Sequence, residues 1–322
     1  MAHRSILILP EDSERPIAAG IHAAKQSIKI KMFLFSDPQL VDAVIAAKKR
    51  GTRVQVMLNP SRRSGEHEND ATRKLLESAG IEVKDSNPAF GLTHEKSMIV
   101  DNRWAFIQSM NWDTKNLTQT RDYAIITSHR DEITELAGCF DADWSRQKFE
   151  PGVQSNLIWC PGDGRERIAG FIDQSKHSLI VQNERFQDPV IIERLVRAAL
   201  RGVKVHVMTK APHTLKQEKL LEGVSGLRLL DDVGIKVHRV KGLHGKMLLA
   251  DRARAIIGSI NLAPGSFDDR RELAIAISDE PIIKRLEKTA RQDWKHSCTM
   301  DLTDHGLVAD LKDRAEELDL RC

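Results

Sequence analysis

"HEKSMIVD", residues 94–101, sets an imidazole, an ammonium and a carboxylate around a short apolar run, and "HGKMLLAD" repeats the arrangement at 244–251. His94 and Lys96 stand two residues apart at the edge of a run that reads as a strand over 98–101. That i, i+2 spacing points both side chains to one face. A single copy of His-x-Lys-x-x-x-x-Asp carries little information. Pooling Lys with Arg and Asp with Glu, about 0.3 matches are expected by chance in a shuffled chain of this composition. Two copies in one register are a different observation, and the register extends far beyond them.

With a shift of 151, Pro10 falls on Pro161, Asp12 on Asp163, Lys25 on Lys176 and Ser27 on Ser178. Asp37-Pro38 falls on Asp188-Pro189, and Arg50-Gly51 on Arg201-Gly202. After the loss of one residue, a shift of 150 pairs His94 with His244, Lys96 with Lys246, Asp101 with Asp251, Ser109 with Ser259, Asn111 with Asn261 and Trp144 with Trp294. The chain is therefore a duplication. Its boundary is expected in the polar, Pro-Gly-bearing run "KFEPGVQSN", which gives a first lobe over 1–150 and a second over 151–298. A charged C-terminal helical extension is expected over 299–322.

Within each copy the periodicity alternates. In the first, a helix is expected over 17–25, a strand over 28–35, a helix from Pro38 to Arg50 capped by Gly51, and a strand over 53–58. Alternating strands and helices predict an α/β fold in which helices flank a sheet.

Composition narrows the function classes. At 322 residues with 41% hydrophobic content, the chain is long enough for two cores, and 49 basic against 46 acidic residues leave a net charge of only +3. That is no nucleic-acid signature, so any basic patch is local. Cys139, Cys160, Cys298 and Cys322 show neither a disulfide framework nor thiolate metal spacing, and the plain reading is a reducing cytoplasm. The short apolar run near the N-terminus predicts no signal peptide, and no segment approaches the about 20 apolar residues of a membrane span. Peripheral contact with a membrane stays open.

Each motif is followed by Ser-x-Asn, "SMN" at 109–111 and "SIN" at 259–261, and then by an acid in register, Asp122 and Glu272. On these residues the sequence resembles the phospholipase D superfamily, over nearly the whole span from Pro10 to Trp294. The resemblance implies two pseudo-symmetric lobes, each a mixed β-sheet flanked by helices, with both motifs serving one active site. It implies a phosphodiesterase or phosphatidyltransferase working through a phosphohistidine, with His94 as nucleophile and His244 as acid and then base. Lys96, Lys246, Asn111, Asn261, Ser109 and Ser259 are the expected phosphate ligands, and Asp122 and Glu272 the acids that orient the histidines. For Asp101 and Asp251 a structural salt bridge or turn contact is expected.

The chemistry agrees with the residue types. Displacement at a phosphodiester needs a nucleophile, a proton donor for the leaving oxygen, and positive charge around the phosphoryl oxygens. Two imidazoles divide the first two duties, because one can be neutral while the other is protonated near neutral pH. No metal and no cofactor are implied.

The partner expected is a phospholipid, met at a membrane surface. Nucleic acid is the alternative, for which Arg62 and Arg63 in "NPSRRSGEHEND" and the run "DDRRE" at 268–272 are candidate backbone contacts, against a plain reading as solvated charge. Aromatic residues are only 5% of the chain, few for the stacking platforms of a single-strand binder. Trp112 and Phe267 are expected at the mouth of a cleft, and Trp144 and Trp294 in the core. Gln108 stands where the second copy has Gly258, and is expected either to crowd the phosphate or to add a hydrogen bond. Both motifs lie in one chain, so a monomer suffices for one site.

Overall fold

The computed structural model describes residues 3–61, 65, 67–152, 155–210 and 220–309. Its contacts divide into two compact units. The first runs to Gly164 and takes in Ile257–Ile260 and Gly265–Ile277; the second holds Arg165–Ile256, Asn261–Pro264 and the chain from Ser278 onward.

The first unit is built on a seven-stranded mixed sheet. Its order is Arg4–Leu9, Asp122–Thr127, Trp104–Gln108, Ser97–Val100, Ser27–Met32, Arg53–Leu58 and Glu82–Asp85. The last three strands are parallel, as expected where helices make the crossovers, and the other pairings are antiparallel. The helix Pro38–Lys49 shows why the sequence places such an element there. The Asp37 side chain accepts from the Leu40 N–H at 3.1 Å, Pro38 occupies the first turn, and Gly51 at φ +92 follows the end. Asp188, Pro189 and Gly202, at φ +87, repeat the device around Pro189–Leu200 in the second unit. Ile17, Ile21, Leu40, Val44, Ile28, Ile30, Val54 and Val56 interdigitate in the first unit's core.

In the second unit Ser178–Gln182, Lys204–Thr209 and Lys236–Arg239 run parallel, and Lys246–Ala250 pairs antiparallel with Ser178–Gln182. The mixed sheet flanked by helices is the architecture expected from the alternating periodicity.

Several boundaries move. The strand expected over 28–35 ends at Met32, and the one expected over 98–101 is Ser97–Val100, because Asp101 turns the chain at φ +53. The compact units also depart from the duplication boundary. Arg270–Ile277 pairs parallel with Leu92–Thr93 and antiparallel with Leu157–Cys160, so a strand of the second copy belongs to the first unit. Thr299, expected to begin a helix, lies in the strand Cys298–Thr299, which pairs with Lys236–Arg239. Residues 304–309 are helical, and 310–322 lie outside the described residues. Among the described residues, no helix is long and apolar enough to cross a membrane.

Candidate active site

The segment His94–Lys96 links Leu92–Thr93 to Ser97–Val100 and is fixed from both sides. The Arg271 carbonyl accepts from the His94 and Glu95 N–H groups at 2.9 Å each. On one face, His94 Nδ1 lies 2.9 Å from Glu272 Oε2, Lys96 Nζ donates to the His94 carbonyl at 2.6 Å, and the Phe33 ring meets the imidazole edge-on at 5.1 Å. Lys96 Nζ also stands 5.2 Å from the centre of the Phe33 ring. Burial alone would raise the Glu272 carboxyl. The charge on His94 and its hydrogen bond, aided by Lys96 and Arg270, hold it below the usual carboxylate range. An ionised carboxylate only accepts, so Nδ1 of His94 carries a proton in either charge state, and whenever the ring is neutral the lone pair is on Nε2.

Glu95 points the other way. It is fully buried, with Lys31 Nζ 2.8 Å from Oε2 and the Ser97 hydroxyl donating to Oε1 at 2.6 Å. Lys31, equally buried, reaches Asp143 at 2.7 Å, and Asp143 also takes Arg271 at 3.1 Å. Burial would lower the Lys31 ammonium, yet Cys139, Glu95 and Asp143 hold it well above the ordinary lysine range against the opposing Arg271. Glu95, Cys139 and Asp143 bring three ligand-type atoms within 4.8 Å of one another, but Lys31 bonds all three, so an ammonium fills the place a metal would need.

The second motif differs in its surroundings. Lys246 Nζ donates to the His244 carbonyl, as Lys96 does in the first copy. Where the first copy has Phe33, the second has Glu184. Its Oε2 lies 2.8 Å from Lys246 Nζ and 3.7 Å from His244 Nε2, and its Oε1 lies 2.5 Å from Lys210 Nζ. Burial would raise this carboxyl, but Lys246, Lys210 and His244 hold it well below the carboxylate range.

The remaining motif residues hold the frame. Asp101 accepts from the backbone N–H groups of Lys25, Gln26 and Ser27, and Asp251 accepts from Lys176, His177 and Ser178. Each of these carboxylates, seven residues after its histidine, thus ties the motif to a segment 73–76 residues earlier in the chain. Ser109 and Ser259, expected as phosphate ligands, are fully buried and tie neighbouring strands. Ser109 donates to Asp122 at 2.6 Å and accepts from the Tyr123 N–H; Ser259 donates to the Leu273 carbonyl and accepts from its N–H. Asp122 also accepts from Thr120 Oγ1 at 2.6 Å.

Asn111 donates to Asn116 at 3.0 Å, and the buried Oδ1 atoms of Asn111 and Asn261 have no hydrogen-bond partner among the described residues. Each amide keeps its oxygen uncommitted, and a half-turn that presented an N–H there would at Asn111 break the bond to Asn116.

Gln108 is resolved in favour of a hydrogen bond. It is buried, and its Oε1 accepts from Trp112 Nε1 at 3.0 Å. The second copy has changed both partners together. Gly258 lies so close to Leu273 and Ala274 that a Cβ would fall 2.2 Å from the Leu273 carbonyl oxygen, and Leu262 replaces the tryptophan.

Three expectations are corrected. Trp112 and Phe267, expected at a cleft mouth, are buried, whereas Trp144 and Trp294, expected in the core, are half-buried. Trp144 stacks on Phe140 and Trp294 on His238. "DDRRE" is solvated charge only at its acidic start, where Asp268 is exposed. Arg270 and Arg271 are buried, with Arg271 held by Asp143 and lying 4.1 Å from the centre of the Phe90 ring. Arg62 and Arg63 lie outside the described residues.

Lys31, Glu95, Asp143 and Glu184 were missed from sequence. Lys31 carried a signal, since a lysine flanked by apolar residues in a core strand needs a buried partner.

Residues 17–144 and 168–294 match the family described as "Cardiolipin synthase, PLD-like domain". The chain belongs to that family and is a phospholipase D-like phosphodiesterase or transferase. It is similar to cardiolipin synthase B of Salmonella typhimurium, with 26% identity over 313 residues covering 83% of this chain and 74% of that one. Its fold is similar to that of phosphatidylserine synthase from Haemophilus influenzae, with a TM-score of 0.75 and 14% identity over 92% of this chain and 87% of that one. It is also similar to that of polyphosphate kinase from Porphyromonas gingivalis, with a TM-score of 0.73 and 15% identity over 98% of this chain and 53% of that one. One fold thus serves different phosphoryl chemistries, and the site must supply the rest of the argument.

Proposed function

We propose that this enzyme moves the phosphatidyl group of a phospholipid from its headgroup oxygen to water or an alcohol. Nε2 of His94 attacks phosphorus, the bond to the headgroup oxygen breaks, and His244 gives its proton to that oxygen. The acceptor hydroxyl then attacks phosphorus, the P–N bond breaks, and the acceptor's proton passes to His244. Lys96, Lys246, Asn111 and Asn261 steady the phosphoryl oxygens, and each such donor is worth about 100- to 1000-fold in rate.

The observation that carries this reading is the unlike seating of the two histidines. His94 has its Nδ1 against a buried carboxylate at 2.9 Å, which leaves Nε2 as a nucleophile. His244 has a carboxylate 3.7 Å from Nε2, the atom from which an acid must deliver its proton. The lipid reading draws on family membership and on the kinship with cardiolipin synthase B. Arg270 and Arg271, in one of the two runs that favoured nucleic acid, are buried and offer no exposed cationic patch to a polymer backbone.

The test uses chelator-treated protein with acyl-labelled phospholipid vesicles and an alcohol, and in parallel labelled single-stranded DNA and RNA. Phosphatidyl-alcohol should form, and a phosphatidyl-enzyme should be trapped in the wild type and absent from His94→Ala. Cleavage of nucleic acid without any phosphatidyl product would overturn the lipid reading, and an adduct persisting in His94→Ala but lost in His244→Ala would reverse the histidine roles.

A further inference from the structure

Around the two motifs the chain differs most sharply at one pair of matching positions, Phe33 in the first copy and Glu184 in the second. Phe33 offers His94 and Lys96 an aromatic ring. Glu184 offers His244 and Lys246 an anionic acceptor, and Lys210, which holds its other oxygen, stands where the first copy has Asn59. The two changes go together, since Lys210 neutralises the charge that Glu184 brings. The Glu184 side chain is 11% exposed and that of Lys210 27%, so the carboxylate is supported from within yet open to a small molecule.

We propose that Glu184 selects the alcohol, favouring an acceptor or leaving group with a second hydrogen-bond donor on the carbon adjacent to the one that bears the reacting oxygen. This rests on the phosphatidyl-transfer reading above. The reacting oxygen must lie within hydrogen-bond reach of His244 Nε2 when the proton moves. Glu184 Oε2 is 3.7 Å from that nitrogen, a separation of the same order as that between two oxygens on adjacent carbons. A vicinal diol can therefore give one hydroxyl proton to His244 as its oxygen attacks phosphorus and the P–N bond to His94 breaks. Its second hydroxyl meanwhile donates to Glu184. A monohydric alcohol of the same size leaves the carboxylate without that donor. Hydrogen bonds to charged groups support a discrimination of about 10-fold or more.

The experiment offers the full-length protein equimolar 1-propanol and 1,2-propanediol, which differ by one hydroxyl. The donor is acyl-labelled vesicles of phosphatidylcholine, phosphatidylethanolamine and phosphatidylglycerol, and the readout is the ratio of the two phosphatidyl products. Being internal to one reaction, that ratio does not depend on how much enzyme is active. The wild type should favour the diol by about 10-fold or more. Glu184→Phe, which installs the first copy's residue, should bring the ratio close to one, and Glu184→Gln, which keeps an acceptor oxygen without the charge, should fall between.

Equal products from the wild type, or a diol preference surviving in Glu184→Phe, would overturn the proposal. If Glu184→Phe does not fold, an unchanged ratio in Glu184→Gln overturns it instead. Loss of all turnover in both variants at unchanged thermal midpoints would make Glu184 a residue of the chemistry and not of acceptor choice. If the wild type yields no phosphatidyl product at all, the lipid reading has failed and takes this inference with it.

Discussion

Replacing Lys31 with glutamine, the residue at the matching place in the second copy, strands a carboxylate directly beneath the first motif. Lys31 is fully buried and forms two ion pairs, at 2.8 Å to Glu95 and 2.7 Å to Asp143. Asp143 retains Arg271 at 3.1 Å and Asn87 at 3.3 Å, but Glu95 is left with the Ser97 hydroxyl. Breaking a buried pair from one side costs about 3–5 kcal/mol, because the surviving charge has lost both water and partner. At about 2–4 °C per kcal/mol for a unit of this size, the thermal midpoint of Lys31→Gln should fall by roughly 6–20 °C.

The second copy shows how the loss is relieved. There Gly245 stands for Glu95, and Gln182 Nε2 donates to Asp293 at 2.9 Å. Lys31→Gln combined with Glu95→Gly removes the stranded carboxylate at the expense of extra backbone freedom, about 0.5–1 kcal/mol. The double variant should therefore be more stable than the single one. Scanning calorimetry on wild type, both single variants and the double closes the cycle. A drop under about 1 kcal/mol for Lys31→Gln, or additive losses in the double, would refute the account of a compensated buried cluster.

Glu272→Gln keeps the size of the group that meets His94 Nδ1 but removes its charge and lets the partner donate, so turnover should fall by about 100-fold or more, and the thermal midpoint at neutral pH should fall with it. A phospho-enzyme burst of wild-type rate would contradict that role. Glu272 and Glu184 both have folded-state carboxyls below the ordinary range, so their stabilisation is complete above the unfolded value of about 4.3 and is lost as pH falls through the depressed values. Thermal midpoints should hold from neutrality to about pH 5 and drop steeply below about pH 4, and Glu272→Gln should flatten that acid slope. Gly258→Ala would set a Cβ 2.2 Å from the Leu273 carbonyl oxygen and 2.4 Å from Ala274 Cα, both backbone atoms, and should destabilise by about 1–3 kcal/mol in urea unfolding. A neutral effect there would mean that the adjoining strand yields easily.

What could be read in the sequence was whatever depends on local pattern or on comparing the chain with itself. The Asp-Pro starts and Gly stops of Pro38–Lys49 and Pro189–Leu200 and the strand Arg53–Leu58 follow from residues within a few positions or from the shared register. The partners of Arg270–Ile277 do not, because its hydrogen bonds go to Leu92–Thr93 and Leu157–Cys160, far away in sequence. Glu95 was hidden for a similar reason. Its position between His94 and Lys96 suggests a solvated residue, and only Lys31 and Asp143, placed by different elements, make a buried charge there tolerable.

Duplication fixes the frame, since strands, caps and motif residues recur because each copy must build the same sheet. Chemistry enters where the copies part in concert. Gln108 changes with Trp112 against Gly258 with Leu262, Lys31 with Glu95 against Gln182 with Gly245, and Phe33 with Asn59 against Glu184 with Lys210. In each set one copy holds a donor with its acceptor or a charge with its counter-charge, and the other copy replaces both members, since a buried polar group is costly without its partner. The first two sets preserve the fold in each half by different means. The third lies within reach of a motif's histidine and lysine, so the equivalent pairs meet unlike neighbours there, an aromatic ring beside His94 and Lys96 and a carboxylate-bearing side chain beside His244 and Lys246.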